Sequence, residues 1–318
     1  MEQRAAAVRR LHHRRMAHRH VSEDLPTAFS VTDAAARGIS PDALRSVSLR
    51  TPYRGVRARS APPHPDDLLG HCLDYAPRLR PWQFFSHETA LALAGVPLPE
   101  WPYRPRIHVA THRPAREPRI GGVVGHRLQS RETATVGDAV RFEHPVRAWR
   151  QAGTDWGLDD LICAAEFLIS GDEPWGEISD LRREIEVMGD TRGGILTRAL
   201  RETRVGTRSP RETRLRLALV RSGLPEPEIN WVLHDRSGRR IAELDLAYPR
   251  WRVCPEYDGR VHAEDARQFA RDADRWDAVR AEDWNLVRVL NHHMRGDAAA
   301  AVHKVRDALS RAGWSPHR

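Results

Sequence analysis

The stretch from Glu243 to Asp258, ELDLAYPRWRVCPEYD, decides how the C-terminal part of the chain folds. Two short apolar segments flank a turn-prone Tyr-Pro-Arg, and Gly259 follows directly, which predicts two adjoining β-strands. Both segments carry acidic residues, so their carboxylates can converge on one point. Because converged carboxylates repel one another unless a cation lies between them, the pattern indicates a hard divalent metal of the kind used in phosphodiester chemistry.

The register of these two strands decides whether Asp245 and Glu256 share a face. A two-residue turn at Pro249-Arg250 pairs Glu243 with Glu256 and places Asp245 diagonally beside Glu256 on the same face. A three-residue loop would place Asp245 and Glu256 on opposite faces, and the metal site would fail.

Pro255 complicates this register. It cannot donate a hydrogen bond to a β-ladder, so it implies an edge position or a bulge just before Glu256. Such a bulge could restore the register that puts Asp245 and Glu256 on one face, or disrupt it. A second interpretation also stays open, in which the acids are surface groups that face Arg240, Arg250 or Arg252.

A well-marked helix precedes the strands. Ser209 suits the N-cap, Pro210 the first helical position and Glu212 the third, and Ser222-Gly223 ends the helix. Glu212 therefore has two readings that stay open, a cap for its own helix and a partner of the strand acids. Three strands are predicted after this helix, with a turn at 235–238 between the first two: Ile229–Leu233, Arg240–Ala247 and Trp251–Tyr257.

Length and composition bound the function. The chain has 318 residues, 40% of them hydrophobic, which allows two or three domains with packed cores. No apolar run approaches the roughly 18 residues of a membrane span, and the basic N-terminus lacks the apolar core of a signal peptide. Cys72, Cys163 and Cys254 are isolated, which excludes a disulfide framework and favours a reducing, cytoplasmic location.

Positive charge gathers at the two ends of the chain. The net charge is +8 with 51 basic residues, of which only Lys304 is a lysine. Residues 1–20 hold six arginines and one glutamate, and residues 205–318 hold 21 basic and 17 acidic residues. This distribution is typical of a protein that meets nucleic acid at both ends, with a solubilising bias as the alternative.

Four segments follow from these patterns: a basic arm (1–25), a winged helix-turn-helix-like DNA-binding domain (26–62), an α/β middle domain (66–204) and a C-terminal domain (205–318). In the second segment, Thr32 is expected to cap a helix that ends before Gly38. Ser40 and Pro41 then start a second helix that runs to about Ser48, and 53–56 reads as a turn and wing strand.

The middle segment is predicted to mix strands and apolar helices. The expected helices follow Ser86 and Leu158, and the expected strands begin at Ile107 and Gly122. His87 and His126 are interpreted here as packing or surface histidines rather than ligands. No chemistry is assigned to this segment, and a protein partner for it stays open.

Two resemblances add to this interpretation. The stretch 29–40 followed by 53–56 resembles the N-terminal domain of abortive-infection type IV antitoxins, and Ser86-His87 and 144–149 resemble the segment that comes after that domain in such proteins. In order, RSPRETRL at 208–215, DLAYP at 245–249, EYDGRVH at 256–262, Asp272 with Arg275, and DWNLVRV at 283–289 resemble the very-short-patch-repair-like endonuclease domain. That domain belongs to the PD-(D/E)XK nuclease superfamily, so the resemblance implies an α/β fold with a restriction-endonuclease-like mixed sheet flanked by helices.

The resemblance assigns roles residue by residue. Asp245 stands at the central metal-ligand position and Glu256 at the acid of the E-x-K element, while Glu212 is the first-helix acid that holds metal directly or through water. Mg²⁺ or Mn²⁺ is the implied cofactor. His262 stands near the histidine that such enzymes place at the scissile phosphate, as a general acid or base or as a phosphate ligand.

The chain departs from the superfamily at Asp258, which occupies the usual lysine position among the catalytic residues. His262, a nearby arginine or a second metal could take over the lysine's role, or the site is a degenerate binding module. The arginines expected to contact DNA are Arg45, Arg208, Arg214, Arg260, Arg275 and Arg288. The sequence thus predicts a metal-dependent endonuclease for double-stranded DNA, in repair or in defence against phage or mobile elements. The alternative is a non-catalytic DNA-binding regulator or antitoxin; no membrane partner is expected, and the oligomeric state stays open.

Overall fold

The computed structural model describes residues 25–100, 106–129, 133–136, 140–258 and 275–316 of the chain. Residues 1–24 of the predicted basic arm, Arg260 and His262 lie outside this range. The chain is a mixed α/β protein that divides into two compact units, Met1–Gln151 and Ala152–Arg318. This division falls within the segment predicted as the middle domain. Within the described residues, no helix combines the length and apolar character that a membrane span requires.

The first unit opens with two short helices that lie between two paired strands. In chain order these are β1 (Ala28–Ser30), α1 (Val31–Ala36), α2 (Pro41–Leu44) and β2 (Val56–Ala58). The strands pair in an antiparallel manner, with Phe29 opposite Arg57. A small apolar cluster of Leu25, Phe29, Ala34 and Leu44 holds these elements together.

Three details of this motif differ from the sequence prediction. The N-cap of α1 is Ser30, whose hydroxyl accepts a backbone N–H at 2.9 Å, so the prediction of Thr32 as the cap was wrong. The second helix ends at Leu44 rather than near Ser48, because Arg57 Nε donates to the Leu44 carbonyl at 2.7 Å and closes the helix after one turn. The pairing strand begins only at position 56.

A five-stranded mixed sheet forms the rest of the first unit, with the strand order β5-β4-β3-β7-β6. Its strands are β3 (Gln83–Phe85), β4 (Ile107–His112), β5 (Val123–Leu128), β6 (Thr133–Val136) and β7 (Val140–Glu143). Its helices are α3 (Leu68–Tyr75), α4 (His87–Leu93) and α5 (Pro145–Ala152). The predicted helix after Ser86 and the strands at 107 and 122 are confirmed. Strands β4 and β5 run parallel, with Ala110 opposite His126.

The second unit begins with four helices, α6 (Leu158–Ile169), α7 (Ile178–Met188), α8 (Ile195–Glu202) and α9 (Pro210–Arg221). Helices α6 and α9 are joined by an ion pair between Glu166 and Arg216 at 2.5 Å, with both side chains 1% exposed. Glu166 also accepts hydrogen bonds from the hydroxyls of Thr207 and Thr213, each at 2.6 Å. A charged pair therefore lies in the interior between the two helices.

The remaining elements are strands β8 (Glu228–His234), β9 (Arg240–Ala247), β10 (Val253–Asp258) and β11 (Asn285–Leu290), and helix α10 (Ala299–Arg311). Strands β8 and β9 are antiparallel and β10 and β11 are parallel. Residues 275–281 are helical. One apolar cluster joins α9 and α10 to the strands through Leu215, Leu246, Val253, Val289 and Val305. This frame fixes the start of α9 relative to β9 and β10.

The loop between β9 and β10 is longer than both the two-residue turn and the three-residue loop that the sequence left open. A 3₁₀ turn covers Pro249–Trp251, Arg252 follows in the left-handed region at φ 50°, and Tyr248 bridges to Val253. The third strand consequently starts two residues later than predicted. Beyond this isolated bridge, the described residues show no hydrogen-bonded ladder between β9 and β10, which belong to separate two-stranded sheets with β8 and β11.

Candidate functional site

The three acids singled out in the sequence lie in one electrostatic neighbourhood of the second unit. Burial raises the pKa of the half-buried Asp245 to about 6, and the negative charges of Glu212 and Glu256 contribute to the rise, while Arg275 and Arg208 oppose the shift. No described residue donates a hydrogen bond to the Asp245 carboxyl group. The Asp245 carboxylate therefore has no hydrogen-bonded partner among the described residues to offset its charge.

Glu212 is positioned by the start of α9. The Ser209 hydroxyl caps the helix by accepting the Glu212 backbone N–H, as the sequence predicts. The Glu212 carboxylate in turn accepts the Arg208 backbone N–H at 2.9 Å and the Ser209 hydroxyl at 2.7 Å. The two readings of Glu212 are thus compatible, because it stabilises its own helix and also lies close enough to raise the pKa of Asp245.

Glu256 is buried on β10 and holds two donors from the helical residues 275–281. Arg275 Nη2 donates to Oε1 at 2.5 Å, and Trp276 Nε1 donates to Oε2 at 3.1 Å. Arg275 also donates to the backbone carbonyl of Glu243 on β9 at 3.0 Å. A guanidinium group consequently bridges the two strands that carry the acids.

Asp258, at the position usually held by lysine, forms an ion pair with Arg288 on the parallel neighbour β11. The Arg288 guanidinium lies over the Trp276 ring, 4.3 Å from its centroid. Lys304 contacts the backbone of the same strand, since its Nζ donates to the Arg288 carbonyl at 2.7 Å. Arginine is therefore the side chain that supplies positive charge at this position.

Glu243 belongs to the strand surface. Its carboxylate forms ion pairs with Arg208 and Arg240, each at 2.5 Å. The contact with Arg240 matches the interpretation of an acid that faces Arg240, and the contact with Arg208 pairs Glu243 with an arginine that also acts on Asp245.

The donor chemistry around Asp245 fits Mg²⁺ or Mn²⁺, which prefer carboxylate oxygens. Asp245 fits best as a direct ligand because it lacks a donor among the described residues and has a raised pKa. The spacing is wider than a single coordination sphere, since the carboxylates of Glu212, Asp245 and Glu256 are not gathered within 4.8 Å of one another in the described part of the chain. Arg275 pairs with Glu256, so this carboxylate already has a positively charged partner.

The arginines expected to contact DNA have different surroundings. Arg208 and Arg45 are the most exposed, at 66% and 67%, and Arg45 pairs with Asp42 on its own short helix. Arg214 is directed into the unit and binds Asp160 at 2.8 Å, so in this structure it links α9 to α6. Arg275 and Arg288 lie beside the acids.

A second cluster, in the first unit, was not assigned any chemistry from the sequence. His87, His108 and His126 each present a ring nitrogen, and these three atoms lie within 4.8 Å of one another. Burial and the two neighbouring imidazoles lower the pKa of His87 to about 2. Successive histidines of this cluster are about 20 positions apart, so no local sequence motif marks them. The only sequence signal is that each lies in a predicted strand or at the start of a predicted helix.

Comparison with known proteins gives relatives but no function. No family model matches the chain. It is similar to two proteins of Mycobacterium tuberculosis, Uncharacterized protein MT2308 of strain CDC 1551 / Oshkosh and Uncharacterized protein Rv2248 of strain ATCC 25618 / H37Rv. Each is 24% identical over 274 residues, which cover 82% of this chain and 92% of the relative. The similarity therefore extends over both units.

Proposed function

We propose that the protein is a metal-dependent endonuclease that hydrolyses phosphodiester bonds of double-stranded DNA at Asp245. The observation that carries the proposal is the environment of this carboxyl group, which is half-buried, lacks a donor among the described residues and is raised in pKa by burial and by Glu212 and Glu256. An isolated structural acid would be paired or solvated. An acid whose ionisation is opposed by burial and by two neighbouring acids is suited to bind a cation.

The proposed roles follow from the contacts. Asp245 would bind Mg²⁺ or Mn²⁺ directly, and Glu256 and Glu212 would hold the metal through water or move closer when it binds, because the three carboxylates are too far apart for one coordination sphere in this structure. A metal held there supplies charge stabilisation for the phosphate and lowers the pKa of water. Arg275 and Arg288 pair with Glu256 and Asp258, and we propose that one of them also binds the DNA phosphate and so takes the role of the missing lysine. His262, outside the described residues, is the proposed proton-transfer or phosphate-binding group.

The proposal is tested with the full chain and supercoiled plasmid DNA. We expect nicked and linear products with Mg²⁺ or Mn²⁺ and none with EDTA. Asp245→Asn should lower the rate by at least about 100-fold, because it removes a direct charge interaction with the reacting centre. Asp307→Asn, the same change at an exposed position on α10, should keep the full rate. Equal cleavage by Asp245→Asn and the unmodified chain would refute the assignment.

A second function is favoured by one specific observation. Arg275 and Arg288 already pair with Glu256 and Asp258. Such ion pairs are expected if the fold has lost its metal site and the protein is a non-catalytic DNA-binding regulator. Under this alternative the full chain would shift duplex DNA in a gel with the same affinity in Mg²⁺ and in EDTA, and no metal would produce cleavage.

We further propose a cytoplasmic location. It is supported by Cys72, Cys163 and Cys254, which are all free and buried, as is typical of proteins from a reducing compartment.

A further inference from the structure

Three imidazole rings converge at one end of the sheet in the first unit. His87 is the first residue of α4, His108 lies on β4, and His126 lies on the neighbouring strand β5. His126 Nε2 is 3.0 Å from His108 Nδ1, and the rings of His87 and His126 stack with centroids 3.7 Å apart. One nitrogen from each ring lies within 4.8 Å of the other two. Tetrahedral coordination with Zn–N bonds of about 2.0–2.1 Å requires nitrogens about 3.3 Å apart whose in-plane lone pairs point at the metal. The nitrogens are close to this spacing, and the stacked His87 ring would have to rotate when the metal binds.

The second nitrogen of two rings is already fixed by the protein. His108 Nε2 is 3.2 Å from the buried carboxylate of Glu88, and His87 Nδ1 is 3.0 Å from the Ser86 hydroxyl. This leaves His108 Nδ1 and His87 Nε2 to face the centre of the cluster. A carboxylate or hydroxyl on the far nitrogen is the usual support of a metal-binding histidine, because it fixes the tautomer and the orientation of the ring.

The backbone of His87 is held in an unusual conformation. Its φ is 53°, in the left-handed region that residues with a side chain seldom adopt. The His87 backbone N–H donates to Gln151 Oε1 at 3.0 Å, and Gln151 Nε2 donates to Glu143 Oε2 at 2.7 Å. The chain of contacts from Glu143 through Gln151 therefore aims the ring of His87 at the other two histidines.

Two buried acids and one arginine lie around the cluster. Glu88 and Glu143 are buried acids connected to His108 and His87, and Arg150 is the nearby positive charge. His108 is itself buried, whereas His87 and His126 are partly exposed. The cluster is thus partly accessible to solvent on the side of His87 and His126.

We propose that His87, His108 and His126 form a zinc site with His87 Nε2, His108 Nδ1 and His126 Nε2 as ligands. Three neutral imidazoles suit Zn²⁺ better than Mg²⁺ or Ca²⁺, which prefer oxygen ligands. Zn²⁺ would replace the hydrogen bond between His126 Nε2 and His108 Nδ1. The proton on His126 Nε2 would move to Nδ1 of the same ring. Three protein ligands leave the fourth position for water or another small ligand. The site lies in the first unit and is independent of the function proposed for Asp245.

Metal binding by the full chain tests this site. After chelation and dialysis, we expect one Zn²⁺ to bind per chain, and Co²⁺ to give the intense visible bands of tetrahedral coordination at the same site. His126→Gln should abolish both signals, since its amide can replace the hydrogen bond to His108 but is a poor zinc ligand. Glu88→Gln should weaken Zn²⁺ binding about 10–100-fold while it leaves the stoichiometry unchanged.

Two variants control for other histidines. His112→Ala, on the same strand β4, and His12→Ala with His13→Ala in the basic arm should retain the zinc and the Co²⁺ spectrum. The unmodified chain provides a test that does not depend on whether a variant folds. If its Co²⁺ spectrum shows only the weak bands of octahedral coordination, the proposal is refuted. Equal zinc content in His126→Gln and the unmodified chain would refute it as well.

Discussion

The substitution Asp245→Asn is expected to make the protein more stable at pH 8, although it removes the proposed activity. The pKa of Asp245 rises from the ordinary 3.8 to about 6 in the folded chain, because burial and the charges of Glu212 and Glu256 disfavour the carboxylate. One pKa unit corresponds to about 1.4 kcal/mol, so the ionised form costs the folded state up to about 3 kcal/mol. Asparagine fills the same space without that charge.

The pH dependence has a defined sign. Between about pH 4 and pH 6 the folded state holds a proton on Asp245 that the unfolded state has lost, so this residue makes the free energy of unfolding fall as the pH rises. Above about pH 6 both states are ionised and the cost is constant. The advantage of Asp245→Asn should therefore vanish below pH 4 and be complete at pH 8.

Urea unfolding at pH 4, 5, 6 and 8 measures this effect, with Asp172→Asn at an exposed position of the second unit as the control that should show no such trend. If Asp245→Asn is less stable than the unmodified chain at pH 8, the carboxylate is paired rather than strained, and the electrostatic basis of the metal site is wrong. Added Mg²⁺ should stabilise the unmodified chain, by about 2.7 kcal/mol at 100 times its Kd, and should not stabilise the variant.

The sequence predicts the elements that carry the site better than it predicts how they meet. The start of α9 follows from local chemistry, since Ser209, Pro210 and Glu212 each suit a defined helix position. The loop after β9 does not, because its length depends on Arg252 adopting a left-handed conformation that nothing in its side chain favours. The register of Asp245 and Glu256 could not be derived from the turn, because the loop has neither of the two lengths that the sequence left open.

Long-range polar contacts could not be predicted from local patterns. Arg275 lies on a helical segment 19 positions after Glu256 in the sequence, and the two residues pair only because that segment packs against β10. Arg216 appears in the sequence as one of many arginines on a helix, and only the packed structure shows that it is buried. The histidine cluster is of the same kind, because His108 and His126 become neighbours only when β4 and β5 pair in parallel.

Replacing Arg216 with methionine is expected to destabilise the second unit by about 3–5 kcal/mol. Its guanidinium Nη2 binds the Glu166 carboxylate at 2.5 Å and the Glu202 carbonyl at 2.8 Å, in an environment where both partners of the ion pair are 1% exposed. Methionine fills much of the volume but leaves Glu166 as an unpaired charge in the interior. Removing one partner of a buried pair costs several kcal/mol for this reason.

A matched control lies between the same two helices. Arg221 on α9 pairs with Asp159 on α6 at 2.7 Å, but these side chains are 39% and 47% exposed. Arg221→Met should therefore cost only about 0–1 kcal/mol, because water screens an exposed pair. Urea unfolding of the two variants under identical conditions compares a buried and an exposed ion pair on one helix pair.

The double variant Arg216→Met with Glu166→Gln separates the charge from the packing. Glutamine carries no charge, and it can still accept hydrogen bonds from Thr207 or Thr213, which bind Glu166 at 2.6 Å. The double variant should consequently be more stable than Arg216→Met alone, since no ion is left buried without a partner. Two results would show that the lost stability comes from packing and not from an uncompensated charge. In the first, Arg216→Met lowers the free energy of unfolding no more than Arg221→Met does. In the second, adding Glu166→Gln to Arg216→Met lowers it further.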